Sequence, residues 1–272
     1  MASFLKLIEI DAAEARTCPD AFERLRSGDL HAIIVHGVYP PDVLSSVVQR
    51  LECHDPLFLQ TWFPSKFRSW FFGRNLNLAD PGLQGYFDEA ALFQEHLEAL
   101  FPPGLGLAAR VAGILSGLDA GRPFMAPPGP LPGQHYMFTT LRAHLEGGYI
   151  PVHFDNEQTL VPSFAHLRSL VGLHMTSFVL TLQAAEGGGA LEVYDHRCEP
   201  ADAFLIRGDP RAKPDVEGLR SVSFRIPPGA MIVLDSGRYL HRLSPVQGPR
   251  KRWTACSFMA LSRKRDAMYC WG

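Results

Sequence analysis

Residues 219–234 show the sequence pattern that predicts the fold: Leu219-Arg-Ser-Val-Ser-Phe-Arg-Ile226 is followed by Pro227-Pro-Gly229 and then by Ala230-Met-Ile-Val-Leu234. Two short runs of strand-forming residues flank a turn signal, which predicts two successive β-strands. The pattern recurs through residues 136–272. The predicted strands are Tyr136–Leu145, Ile150–Phe154, Met175–Leu182, Ala190–Tyr194, Ala203–Ile206, Leu219–Ile226, Ala230–Leu234 and Trp253–Leu261. Many short strands at this spacing favour a two-sheet, cupin-like jelly roll that encloses a pocket at one end.

The first half of the chain is predicted to be mainly helical. After a short apolar strand at His31–His36, apolar residues recur at helical spacing. The predicted helices lie at about Pro40–Leu51, Leu83–Phe101 and Leu105–Leu118, and Ser163–Leu173 adds a helical stretch between the later strands. We therefore expect one domain, residues 1–272, in which a helical buttress (1–135) flanks a jelly-roll core (136–272).

Composition excludes several classes of function. The 272 residues carry a formal net charge of −2 and a sequence pI near 6.6, so a basic surface for nucleic acid is not expected. The longest apolar runs are far shorter than the ~18 residues of a membrane span. The five scattered cysteines form no CxxC motif, which argues against a zinc knuckle or a dithiol redox site. We expect a soluble cytoplasmic protein with a small-molecule ligand.

A histidine and an aspartate stand two residues apart at the end of a predicted strand. Period-two alternation projects His153 and Asp155 from the same face, where they can share one metal ion. His241 follows a later apolar strand and turn, and is the best candidate for a third ligand on a neighbouring strand. Two histidines and one carboxylate leave coordination positions open, as in non-haem Fe(II) oxygenases. The alternative without a metal site is that the histidines lie in surface loops and that Asp155 caps a helix that begins near Pro162.

A downstream strand supplies a candidate anion site. Arg252 and Thr254 share one face of the strand, and a buried guanidinium with a neighbouring hydroxyl suits a carboxylate. Arg250 has the same parity and is the alternative anchor. Arg142 on the strand Tyr136–Leu145 is either a second inward-pointing anion contact or a residue of the outer face.

Several longer blocks carry a family resemblance. They are Leu145-Glu-Gly-Gly-Tyr-Ile-Pro-Val-His153, Glu186-Gly-Gly-Gly-Ala-Leu-Glu-Val-Tyr194, Gly237-Arg-Tyr-Leu-His-Arg242 and the ending from Phe258 to Trp271. Together they resemble the Fe(II)- and 2-oxoglutarate-dependent oxygenases, in the branch of the welwitindolinone-type aliphatic halogenases and the N-succinyl amino acid hydroxylase. Residues 4–38 are also similar, so the resemblance extends over most of the chain.

The resemblance implies a double-stranded β-helix, Fe(II), 2-oxoglutarate and O2. It aligns His153, Asp155 and His241 with the metal ligands and Arg252 with the arginine that binds the co-substrate, with Thr254 beside it. The halogenases carry a small residue at the position of Asp155, which leaves room for chloride on the iron. A carboxylate there implies hydroxylation instead of halogenation.

The substrate-facing residues implied by the resemblance are Ile150, Phe72 and Arg74, with core packing as the alternative for Phe72. We therefore predict hydroxylation of an aliphatic C–H bond in a small molecule, an amino acid derivative or a natural-product intermediate, with release of succinate and CO2. The alternatives are desaturation or epimerisation with the same cofactors, or a jelly-roll module that binds metal without turnover.

Overall fold

The structure is a computed structural model that describes residues 4–156, 161–199 and 216–272. Its α-helices are α1 (Ala21–Ser27), α2 (Pro41–Glu52), α3 (Tyr86–Leu100), α4 (Leu107–Gly117) and α5 (Ala165–Leu170). Its strands are β1 (Leu7–Asp11), β2 (Ala32–His36), β3 (Gln60–Trp62), β4 (Ser69–Phe72), β5 (Phe124–Met125), β6 (Thr140–His144), β7 (Ile150–His153), β8 (Val171–Gln183), β9 (Gly187–Gly188), β10 (Leu191–Arg197), β11 (Ser221–Phe224), β12 (Met231–Leu234), β13 (Tyr239–Leu243), β14 (Val246–Gln247), β15 (Arg252–Ser262) and β16 (Met268–Trp271). Short 3₁₀ helices lie at Ala12–Thr17, Ser65–Phe67, Leu76–Leu78 and Pro162–Phe164.

Two β-sheets form the centre of the fold. The large sheet has the strand order β1-β2-β12-β8-β15-β6-β4-β3, with β16 beside β15 and β5 beside β16. The small sheet has the order β11-β10-β13-β7, and β14 pairs with β9 in a separate ribbon. Most neighbours are antiparallel, whereas β1–β2 and β5–β16 are parallel. The chain is thus mainly β with mixed sheets.

The large sheet is buried on both faces. On β2, Ile33 and Val35 pack into the main core with helices α2 to α4, whereas Ala32 and Ile34 pack toward the small sheet. This two-sided burial explains why β2 is a continuous apolar run without alternation. It also means that the parity of a residue decides whether it faces the helices or the space between the sheets.

The first 135 residues are not only a helical buttress. Three predicted helices are present as α2, α3 and α4, but the same region also supplies β1 to β5. β2 pairs with β12 and β4 pairs with β6, so strands from this region are part of the large sheet. Strands as short as β3 and β4 contain too few residues to show a period in the sequence. The predicted strand Ala203–Ile206 lies outside the described residues.

Strand ends differ modestly from their predicted bounds. The strand predicted from Tyr136 begins only at Thr140, and β8 begins at Val171, inside the predicted helical stretch. That stretch is therefore shorter than predicted, with α5 ending at Leu170. In the part of the chain that is described, no helix has both the length and the apolar character needed to cross a bilayer.

Candidate metal and co-substrate site

His153 and His241 lie opposite each other on neighbouring strands. β7 pairs antiparallel with β13, and the register places His241 against His153. Directly opposed residues point to the same face of a sheet, and the two imidazole centroids are 4.3 Å apart. The prediction that the late histidine lies on a strand next to the first is confirmed.

Asp155 joins the two histidines from the end of β7. Its backbone N–H donates to the carbonyl oxygen of Ser236 at 3.2 Å, which ties the loop to the chain beyond β12. Its Oδ1 lies 3.4 Å from Nε2 of His153 and 3.7 Å from Nε2 of His241. Ligand atoms at ~2.0–2.2 Å from a divalent ion have mutual separations in this range. The three side chains can therefore contact one ion.

The alternative placement of Asp155 as a helix cap is wrong. Val161 occupies the N-cap of the 3₁₀ helix at Pro162–Phe164, and Asp155 is buried. His241 is buried as well, and His153 is only partly exposed. These are not surface-loop side chains.

Backbone carbonyls orient both imidazoles. Nδ1 of His153 donates to the carbonyl oxygen of Pro151 at 2.8 Å, and Nδ1 of His241 donates to that of Tyr239 at 2.9 Å. A carbonyl oxygen only accepts hydrogen bonds, so each neutral ring carries its proton on Nδ1. The lone pair of each Nε2 then points toward Asp155, the tautomer that a metal ligand needs.

The charge states of the cluster also suit a metal. Burial alone would raise the pKa of Asp155, but the neighbouring imidazoles of His241 and His153 outweigh burial and hold this pKa below its ordinary value. Burial lowers the pKa of His241 to about 4, and the charge of His153 acts in the same direction. At neutral pH Asp155 is therefore a carboxylate, and His241 is an uncharged imidazole that can offer the lone pair of Nε2 to a metal ion.

Arg252 and Thr254 lie on the opposite wall. Both side chains of β15 are buried and line the cavity between the sheets, whereas Trp253 and Ala255 face the helices. Arg252 runs past Gly189, where an added Cβ would lie 3.0 Å from its Cδ and where φ is +59°. The left-handed backbone and the close approach of Arg252 therefore favour glycine at this position. Arg252 forms no ion pair with any described residue.

Arg250 lies outside this site. It precedes β15, is exposed and does not line the cavity. The strand parity that made Arg250 an alternative to Arg252 does not extend this far, because regular pairing begins at Arg252.

Arg142 faces inward from β6. It lines the cavity, and the register places it opposite Thr254. Its guanidinium carbon lies 4.9 Å from the ring centroid of Phe63 and 4.7 Å from that of Phe71, and it donates to Oγ of Ser69 at 3.3 Å. Its buried Nε has no hydrogen-bond partner within the described chain. Burial lowers the pKa of Arg142 to about 10, so it remains charged at neutral pH.

His144 is a cavity residue that the sequence analysis did not single out. It is fully buried opposite Arg252, and neither ring nitrogen has a hydrogen-bond partner among the described residues. Burial and the charges of Arg142 and Arg252 hold its pKa well below the ordinary value. Its parity, shared with Arg142, was the available signal.

The cavity has a volume of 260 Å³ and is largely apolar. Ile150, which the resemblance implies to be substrate-facing, lines this cavity. Phe72 does not, because its parity turns it to the helix face of β4, where it stacks on Phe58 and Trp253. Arg74 also lies outside the cavity, in an ion pair with Glu89 of α3.

Other cavity residues come from segments that the sequence analysis did not select. They are Phe63 and Phe67 in the turn between β3 and β4, and Asn75 and Asn77 beyond β4. The aromatic richness of this stretch was the only available signal. Its inward orientation depends on the hairpin.

Comparison with known proteins gives a family and a fold. Residues 4–272 match the family described as carrier-protein-independent halogenase WelO5. A solved N-substituted L-amino acid dioxygenase from Burkholderia ambifaria AMMD has a TM-score of 0.57 and 15% identity, over 96% of this chain and 91% of that one. The same enzyme in complex with alpha-KG has a TM-score of 0.56 and 14% identity, over 93% and 90%. At these identities the likeness establishes a shared fold. No curated protein sequence matches the chain.

Proposed function

The chain belongs to the carrier-protein-independent halogenase WelO5 family, and we propose that within this family it hydroxylates an aliphatic C–H bond of a small molecule. It is a 2-oxoglutarate-dependent Fe(II) oxygenase. The observation that carries the proposal is the pairing of His241 with His153, with Asp155 in reach of both, across a cavity from Arg252.

The side chains fit the cofactors of such an enzyme. Two imidazole nitrogens and a carboxylate on one side of an ion are the donor set of the non-haem Fe(II) oxygenases. Arg252 has no acidic partner in the described chain, and a buried guanidinium requires an anion, which the distal carboxylate of 2-oxoglutarate supplies. We assign Thr254 to the same carboxylate. Bound iron and 2-oxoglutarate would supply the O2-dependent oxidation of the substrate.

Asp155 favours hydroxylation over halogenation. A metal-bound carboxylate occupies the coordination position that a halide needs, and Asp155 is held as a carboxylate within reach of both histidines. The role of the remaining residues is positional. The apolar walls exclude water, and the cavity presents one carbon of the substrate to the metal.

We interpret the two facing sheets as a double-stranded β-helix and residues 1–272 as a single domain. The metal ligands belong to the small sheet and its adjoining loop, whereas Arg252 and Thr254 belong to the large sheet. The cavity between the sheets therefore lies between metal and anion site. This arrangement supports an enzyme over a module that only holds a metal, because metal storage needs no buried arginine.

The experiment is anaerobic addition of Fe(II) and 2-oxoglutarate, followed by O2 and a panel of aliphatic amino acid derivatives and natural-product intermediates. We expect a visible charge-transfer band before O2, then succinate release and a product that has gained one oxygen atom. Absence of the band would contradict the cofactor assignment. A chlorinated product in chloride buffer would contradict hydroxylation, and a product that has lost two hydrogens, or kept its mass with inverted stereochemistry, would indicate desaturation or epimerisation.

A further inference from the structure

Among the described residues, two buried guanidinium groups line the cavity, in different surroundings. Arg252 packs against Gly189, in the segment that follows β8. The guanidinium of Arg142 lies over the adjoining rings of Phe63 and Phe71 and contacts Ser69, on the side of β6 that faces away from β15. The two side chains come from adjacent strands, and the charge of Arg252 helps to lower the pKa of Arg142. Each guanidinium has its own set of neighbours, so each can hold its own carboxylate.

When the charges of the metal, the co-substrate and the buried side chains are added, Arg142 is left without a compensating negative charge. If iron(II), doubly charged 2-oxoglutarate, Asp155 and Arg252 are taken together, their charges cancel. Asp155 is the sole acid among the described residues that line the cavity. Among the described residues, Arg142 thus has no counter-ion, and an uncompensated charge in a largely apolar cavity is costly.

Other arginines of this region are already paired. Arg242 lines the cavity but donates through Nε to Oε2 of Glu192 at 2.7 Å. Arg74, outside the cavity, makes two hydrogen bonds to Glu89, at 2.5 and 2.6 Å. Neither of these two arginines is available to a ligand. Arg142 is available, because its Nε is buried and has no hydrogen-bond partner within the described chain.

The side chains that line the cavity together with Arg142 are largely apolar. Phe63 and Phe67 come from the turn before β4, and Ile150 comes from β7, three residues before His153. A ligand held at Arg142 would therefore pass along aromatic and aliphatic side chains on its way to the metal.

Building on the proposed function, we propose that Arg142 binds a carboxylate of the substrate, which is an aliphatic monocarboxylic acid. The carboxylate forms charge-assisted hydrogen bonds with the guanidinium and neutralises its charge. The aliphatic body lies against Phe63, Phe67 and Ile150. The alternative, in which Arg142 and Arg252 both bind 2-oxoglutarate and the substrate is neutral, is an outcome of the test.

The test measures binding to protein loaded anaerobically with Fe(II) and 2-oxoglutarate. The probes are medium-chain fatty acids and N-acetylated aliphatic amino acids, each paired with its primary amide. Perturbation of the charge-transfer band reports the dissociation constant. We expect at least one acid to bind about tenfold or more tightly than its amide, because the amide lacks the charge.

Variants separate the two guanidinium groups. Arg142→Gln should abolish the preference for acid over amide and change the affinity for 2-oxoglutarate by no more than about twofold, whereas Arg142→Lys should retain part of the preference. Arg242→Gln is the matched control, an arginine of the same cavity that is already paired, and should keep the preference. The charge-transfer band shows that each variant is folded and loaded.

Two results would overturn the proposal. One is a panel in which no acid binds more tightly than its amide to the wild-type protein. The other is a loss of 2-oxoglutarate affinity in Arg142→Gln as large as that in Arg252→Gln. In both cases the charge-transfer band of the wild-type protein still forms, whereas failure of the proposed function itself would remove that band.

Discussion

The two walls of the cavity differ in how their polar groups are satisfied. On the small-sheet wall, His153 and His241 are held by backbone carbonyls and contact Asp155. On the large-sheet wall, Arg252 has no ion pair and His144 no hydrogen bond within the described chain. Buried polar groups without partners are costly. The difference indicates that the wall with the proposed metal ligands is preorganised by the protein, whereas we propose that ligands complete the opposite wall.

The largest effect is expected on the preorganised wall. Asp155→Gly removes the anionic member of the cluster and should lower the proposed hydroxylation by roughly 100-fold or more, because even residues that only support ligands commonly contribute 10–100-fold. Product formation by mass spectrometry and Fe(II) affinity by titration would measure it. Asp29→Gly, at an exposed acid, is the control. Full activity in Asp155→Gly would show that this carboxylate is not a ligand.

A smaller effect is expected on the wall completed by ligands. Arg252→Gln should weaken 2-oxoglutarate binding by roughly 10- to 100-fold, the value of a charge-assisted hydrogen bond of about 1.5–3 kcal/mol. Anaerobic titration of the Fe(II) protein measures the affinity directly. Arg250→Gln, at the exposed arginine of the same parity, should leave it within about twofold. Equal losses in the two variants would remove the distinction between them.

A core position on β4 and a cavity position on β7 should separate stability from binding. Phe72→Leu alters a side chain on the helix face of β4 and should lower the free energy of unfolding by about 1 kcal/mol without changing substrate preference. Ile150→Ala alters the cavity wall and should change substrate preference instead. Urea denaturation and competition between two substrates measure the pair. A changed preference in Phe72→Leu would contradict its placement in the core.

The smallest expected effect concerns the pH dependence of stability at His144. Because burial depresses its pKa in the folded protein, the unfolded chain takes up a proton near pH 6.5 that the folded protein does not. Stability contributed by this group is therefore lost as pH falls below about 6.5. His144→Leu should avoid a loss of about 1 kcal/mol between about pH 7.5 and about pH 5.5. Urea denaturation of ligand-free protein at both pH values tests this, and parallel losses in variant and wild type would contradict it.

Much of the second half was predictable because it repeats a short-period pattern. β12 and β15 match their predicted strands within one residue, and His241 lies beside His153 as expected. The first half was predicted less well. β3 and β4 are short and occur in an aromatic-rich stretch, where the side chains carry no alternation that would reveal a strand. Their absence from the prediction explains why Phe63 and Phe67 were missed and why Phe72 was assigned to the pocket.

The sequence shows which residues share one face of a strand, but it does not show whether that face points to the helices or to the cavity. Arg142, His144, Arg252 and Thr254 share faces of their strands by alternation alone, yet each face could have pointed to helices or to the cavity. Only the packing of Trp253 and Ala255 against the helical layer fixes the other face inward. Arg250 is likewise exposed because β15 begins only at Arg252. No local feature of the sequence marks this start of the strand.

The sequence by itself determined the longer helices, most strands of the second half and the types of ligand side chain, since helical period, strand period, turn residues and side-chain type are local properties. The tertiary structure brought these side chains together and decided which other residues line the cavity with them. Residues 88 positions apart, His153 and His241, become neighbours through strand pairing, and Arg142 becomes a cavity cation through the sheet face that the helices leave open. Such contacts depend on long-range burial, which minimises exposed apolar surface over the whole chain and is not encoded in any single stretch.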